Sequence, residues 1–133
     1  MTVGDPLPDV ERTVTQADIN RYAEASGDRN PVHLDPVAAA ASVFGTRVAH
    51  GMMVAAMISQ SLTEAFGAAW IDSGRLKIRF KAPVKPGETV VSSGKVTGLH
   101  RDGDGTRADC QVGVSTKEGE AVITGTASVW VED

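Results

Sequence analysis

Hydrophobic and polar positions change their period twice along this chain. Early on, Ile19, Tyr22, Ala23 and Ser26 fall at i, i+3, i+4 and i+7, one stripe of a helix. Thr15 stands at the N-cap position, with Asp18 three residues on as a variant of the capping box, and Gly27 can end the helix. A short strand near Val10 to Val14 is expected before it, and a loop from Asp28 to His33 after it. Asp35 and Pro36 then offer a cap and a first-turn proline for a short Ala-rich helix running to about Ser42. From Gly51 to Phe66 the character changes: the chain is apolar or small on nearly every face until Gln60 and Glu64, which predicts a buried helix.

From Trp70 onward the period falls to two. Leu76, Ile78 and Phe80 alternate with Arg75, Lys77, Arg79 and Lys81. Ala108, Cys110, Val112 and Val114 form a second set. Ile123, Gly125, Ala127, Val129 and Val131 form a third, set against Val122, Thr124, Thr126 and Ser128. Pro86-Gly87, Asp102-Gly103 and Glu118-Gly119 punctuate these runs as turns. Strands with one apolar face want a helix on that face and water on the other. The pattern therefore predicts an α+β fold, an antiparallel sheet wrapped around a long buried central helix, in one domain spanning residues 1–133. It does not contain the strand order.

Composition narrows the function classes. A chain of 133 residues holds one core and is too short for two independent domains. A net charge of -4 disfavours bulk nucleic-acid binding. The single cysteine, Cys110, allows no internal disulfide and no cysteine-based metal cluster, which suits a reducing cytoplasm. No apolar run of about 18 residues predicts a membrane span, and the first residues lack the basic and apolar regions of a signal peptide.

Chemistry has few places to sit. Asp28 and His33 are five residues apart in a segment tightened by Asn30-Pro31, where proline fixes its own φ and biases Asn30 toward extended geometry. A carboxylate and an imidazole so placed can share one water or one substrate proton. By spacing alone they read equally as a turn former and a surface histidine. His50-Gly51 opens the apolar helix, where free N–H groups and the positive dipole end suit an oxygen gaining negative charge. Gly51 there reads as a close-approach position or as a simple turn. Ser59, inside the helix, is expected to bond back to a carbonyl one turn earlier. His50 is expected to be a structural hydrogen-bonding residue, His100 a solvated one, and Cys110 a buried inert thiol. No donor cluster has the sequence spacing of a metal site, and no phosphate-binding glycine loop is present.

These residues carry a resemblance. Ser26-Gly-Asp-Arg-Asn-Pro-Val-His-Leu-Asp35 is similar to the hydratase motif of the MaoC-like (R)-specific enoyl-thioester hydratases, a family of the hot-dog fold. Phe44 to Met52 resembles the segment entering that family's central helix, and Arg79 to Glu88 the strand and turn after it. The resemblance implies a hot-dog domain and reversible syn hydration of a trans-2-enoyl thioester, with no cofactor and no metal. It implies Asp28 and His33 as the acid/base pair holding the water, and Gly51 as the backbone N–H that polarises the thioester carbonyl. Ser59 and Asn30 are implied as positioning residues. The resemblance implies coenzyme A or acyl carrier protein as the substrate carrier. A homodimer is expected, because one sheet leaves edge strands and part of the helix uncovered. The rivals are a hot-dog thioester hydrolase and one subunit of a heterodimeric dehydratase. Glu64 is the only acidic residue on the helix and sits at its polar end, which weakens the hydrolase, and the intact Asp28/His33 pair would make this chain the active subunit.

Overall fold

The structure, a computed structural model, describes residues 1–132. The chain opens with β1 (Val10–Thr13) and α1 (Gln16–Ser26). Thr15 caps α1 in both directions: Asp18 N–H donates to its hydroxyl at 3.1 Å, and its own N–H donates to the Asp18 carboxylate at 3.2 Å. Gly27 adopts φ +79 and returns its N–H to the Ala23 carbonyl at 2.9 Å, a backbone shape that glycine takes without penalty. Ile19 and Ala23 of the expected stripe are buried, while Ser26 faces water.

The stretch expected to be a loop up to His33 ends instead in a turn of helix, α2 (Pro31–Leu34). Pro31 occupies its first position, where the missing N–H would have had no helical partner. The Asn30 carboxamide oxygen caps it by accepting Val32 N–H at 3.1 Å. Next, α3 (Pro36–Ala40) is capped by the Asp35 carboxylate, which accepts Val37 N–H at 2.9 Å. It stops two residues short of Ser42, whose hydroxyl donates to the Ala39 carbonyl at 2.6 Å.

The apolar helix, α4 (Gly51–Phe66), has the predicted bounds. Val54, Ala55, Met57, Ile58, Ser61 and Leu62 are buried on it. Met52 is 62% exposed, and Ala56, Gln60, Thr63 and Glu64 also face outward. The expectation of burial on every face is therefore corrected: the sheet covers one side of α4, and the opposite stripe is bare. A second correction concerns α5 (Ala68–Ser73), which occupies residues read as the start of the alternating region. Trp70 packs from this short helix against the core, and Gly74 closes it with an N–H bond to the Trp70 carbonyl at 2.8 Å. The two-residue period begins where β2 (Arg75–Phe80) begins.

With β3 (Thr89–Asp102), β4 (Gly105–Thr116) and β5 (Ala121–Glu132), the sheet is antiparallel throughout in the order β1-β3-β4-β5-β2. The alternation of β3 is blurred by Ser92, Gly94 and Gly98 and by a register shift between Val96 and Gly98. That is why the sequence pattern marked the strands on either side of it more clearly. On the inner face Val90, Val96, Val112, Val114, Ile123 and Ala127 form one apolar cluster with Val54, Ile58 and Leu62 of α4. Cys110 lies in the same cluster; burial, aided by the neighbouring Asp109 charge, pushes its pKa up to about 11, so it is a protonated thiol at neutral pH.

Candidate active site

Three segments far apart in sequence meet beside the start of α4. Asp28 follows the glycine stop of α1, His33 rides on α2, and His50 immediately precedes α4. One donor atom from each of the three side chains lies within 4.8 Å of the others. Asp28 is exposed, His33 is half-buried and His50 is 2% exposed. Sequence spacing offered no metal site and could not show this gathering, because His50 lies 22 residues from Asp28.

Backbone carbonyls fix both rings. The Nδ1 of His33 lies 2.8 Å from the Val48 carbonyl oxygen, and the Nε2 of His50 lies 2.8 Å from the Asp28 carbonyl oxygen. A carbonyl only accepts, so each of these nitrogens carries the hydrogen. The neutral His33 ring therefore has its lone pair on Nε2, free to take a proton. The two rings stack with centroids 3.8 Å apart and planes inclined at 27°, and Tyr22 sits 4.8 Å from His50. The segment that carries Val48 is itself strapped down: Val48 N–H donates to the Val32 carbonyl at 3.3 Å and Ala49 N–H to the Val84 carbonyl at 2.8 Å. Asp28 holds a local turn, its carboxylate accepting Asn30 N–H at 3.2 Å. Asn30 thus both caps α2 and ties it to Asp28.

Beside the pair opens a cavity of about 320 Å³, lined by both His33 and Gly51. Its walls are otherwise apolar, with Val32, Val48, Val54, Val122, Phe44 and Phe80 among them, and with Lys81 as its one cation. Gly51 is the first residue of α4, and no side chain caps that helix end. A Cβ at residue 51 would stand 2.8 Å from the Phe80 ring, so glycine lets the ring lie against this helix end without turning aside. An oxygen entering the cavity can thus reach unpaired helix N–H groups in apolar surroundings, where such groups act most strongly.

Not every expected residue joins the site. Asp28 and Asn30 adjoin the cavity through His33 without lining it, whereas Ser59 lies eight residues along α4 from Gly51, about 12 Å at the helical rise, and neither lines it nor touches the pair. The back-bonding hydroxyl at this level is that of Thr63, which donates to the Ser59 carbonyl at 2.8 Å. His100 pairs with Asp109 at 3.0 Å, where both side chains are part-exposed. A larger, shallower depression of about 890 Å³ spreads over β-ladder residues and contains none of the candidate residues, although Lys77 and Arg79 border it. Sequence reasoning missed the contributions of Phe80, Lys81 and Tyr22 to the site. Only the glycine at residue 51 hinted that something packs closely there.

Comparisons with known proteins agree with this geometry. The family profile described as MaoC like domain matches residues 2–120. A 3-hydroxyacyl-thioester dehydratase Z of Mycobacterium tuberculosis is 37% identical over 98 residues, 71% of this chain and 65% of that protein. The chain thus matches just under two thirds of that relative's length. An (R)-specific enoyl-CoA hydratase of Rhodospirillum rubrum is 37% identical over 125 residues, 90% of this chain and 81% of its own. Among solved structures, an (R)-hydratase from A. caviae involved in PHA biosynthesis superposes with a TM-score of 0.82 at 28% identity, covering 97% of this chain and 96% of that one.

Proposed function

The chain belongs to the MaoC-like domain family, and on that footing we propose that it adds water reversibly to a trans-2-enoyl thioester, giving an (R)-3-hydroxyacyl thioester. The observation that carries this reading is that His33, with Asp28 within 4.8 Å of it, lines an apolar cavity together with the uncapped, glycine-led end of α4. An acyl chain of coenzyme A or acyl carrier protein enters that cavity. Asp28 and His33 hold a water between them, and Nε2 of His33 takes its proton as the oxygen attacks C3. The electron pair of the C2–C3 double bond moves toward the thioester carbonyl, whose oxygen gains charge against the N–H of Gly51. C2 then receives a proton from the pair, so one water is consumed and both residues return to their starting states. Dehydration is the same path reversed. Neither a metal nor an organic cofactor takes part.

Two finer statements belong to the same proposal. The enzyme works as a homodimer, because Met52 and Ile71 are exposed and β1 and β2 each leave one edge of the sheet unpaired. It works in the cytoplasm, where its lone core thiol stays reduced. The test is to assay the purified chain with crotonyl-CoA for hydration and with butyryl-CoA for hydrolysis. Hydration to an (R) product is expected. Hydrolysis without hydration, or an (S) product, would refute the reading, and a fully active monomer by light scattering would refute the dimer.

A further inference from the structure

We propose that His50 is a positioning residue, a neutral imidazole that holds the Asp28 backbone and the His33 ring together at the head of α4. This rests on the hydratase reading above. The ring is 2% exposed, whereas Asp28 is exposed and His33 half-buried, so it acts through its neighbours and not on substrate. Its Nε2–H donates to the Asp28 carbonyl at 2.8 Å. The other bonds of Asp28 are local, its N–H to the Ser26 hydroxyl at 3.1 Å and its carboxylate to Asn30 N–H at 3.2 Å. The His50 bond therefore connects an exposed catalytic turn to the body of the protein.

The same ring does two further things. It stacks on His33 at 3.8 Å, supporting the face of an imidazole whose edge is already tied to Val48. In the chain it is joined directly to Gly51, the first residue of α4. The base, the carboxylate turn and the helix end thus share one rigid neighbour. Its Nδ1 is buried and, among the described residues, has no hydrogen-bond partner. Among the described residues no acceptor faces Nδ1, whereas the Asp28 carbonyl faces Nε2, so the Nε2–H tautomer is the one the fold accommodates.

Two amide variants separate this role from general packing. Glutamine can present an N–H close to the position of the histidine Nε2, whereas asparagine reaches only the Nδ1 position. His50→Gln should keep kcat for crotonyl-CoA hydration within about threefold of wild type. His50→Asn should lower kcat at least about tenfold, since misplacing a catalytic group by about 1 Å costs up to roughly a hundredfold. KM should stay within about twofold in both, because His50 touches no substrate. In the wild type, imidazole nitrogen NMR should find His50 in the Nε2–H tautomer, a measurement that holds even if neither variant folds. Equal kcat values for the two variants, an effect confined to KM, or an Nδ1–H tautomer would overturn the proposal. A wild type that hydrates no enoyl thioester would instead defeat the hydratase reading, and the tautomer would still decide the placement of His50.

Discussion

Ile58 and His50 are almost equally hidden from water, at 0% and 2% exposure, and stand eight residues apart in one stretch of chain. Ile58 is held by area: it packs in a cluster with α4 and the inner face of the sheet, where many neighbours share the load. His50 is held by direction, through one hydrogen bond to the Asp28 carbonyl and two ring contacts. Contacts by area add up and tolerate repacking. A directed bond has no substitute of similar shape unless the new side chain offers a donor at the same point. The core should therefore respond to mutation in stability, and the site in rate.

The largest effect should come from Ile58→Ala. Truncating a fully buried isoleucine removes about 2–5 kcal/mol of stability, readable as a shift in chemical denaturation, while the molecules that remain folded keep their kcat. If stability were untouched, the division drawn here between core and site would be wrong. Gly51→Ala should go the other way. Gly51 is the first residue of α4, where the helix preference of alanine, up to about 1 kcal/mol in a helix interior, is only partly felt, and the exposed Phe80 ring can turn aside, so Tm should change little. Yet the new Cβ would meet the Phe80 ring at 2.8 Å and crowd the cavity at the thioester position. A fall in kcat/KM of about tenfold with no loss of Tm is expected, and a fully active variant would remove Gly51 from the account.

The smallest effect divides the basic residues of β2 and its extension. Arg75, Lys77 and Arg79 are exposed along the edge strand, whereas Lys81 lines the cavity. If a carrier phosphate is met by any of them, Lys81 is the placed one. Lys81→Ala should raise KM for a coenzyme A substrate a few-fold, more at low salt than at high, since screening weakens such contacts. Lys77→Ala should leave kinetics unchanged at either ionic strength. The reverse ranking would move the carrier to the outer face of the sheet.

The same division explains what was legible in the sequence. Period and caps foretold α1, α4, β2, β4 and β5, because each depends on residues close together in the chain. Thr15 and Asp18 announced their own capping box. Burial around α4 was overread, because an apolar helix looks alike whether a sheet covers one side or all of it. Met52 and Ala56 are exposed for that reason. Helix α5 was missed because Trp70 contributes to the core from a helix of fewer than two turns, too short to show a period. Asp28 and His33 stood out through a long motif. The tie from His50 to Asp28 did not, because it spans 22 residues and uses a carbonyl that every residue possesses.

The central claim is that Asp28 and His33 act on one water. Asp28→Asn keeps the size of the side chain and loses the carboxylate, and His33→Gln keeps a polar group and loses the imidazole. Each single variant should lower kcat for crotonyl-CoA hydration at least about a hundredfold, the low end for losing a general acid or base. Neither should unfold the protein, since Asp28 is exposed and His33 only half-buried. The double variant should be little slower than either single one, because groups serving one water are lost together. Near-normal hydration by a single variant, or losses that simply multiply in the double, would contradict the account.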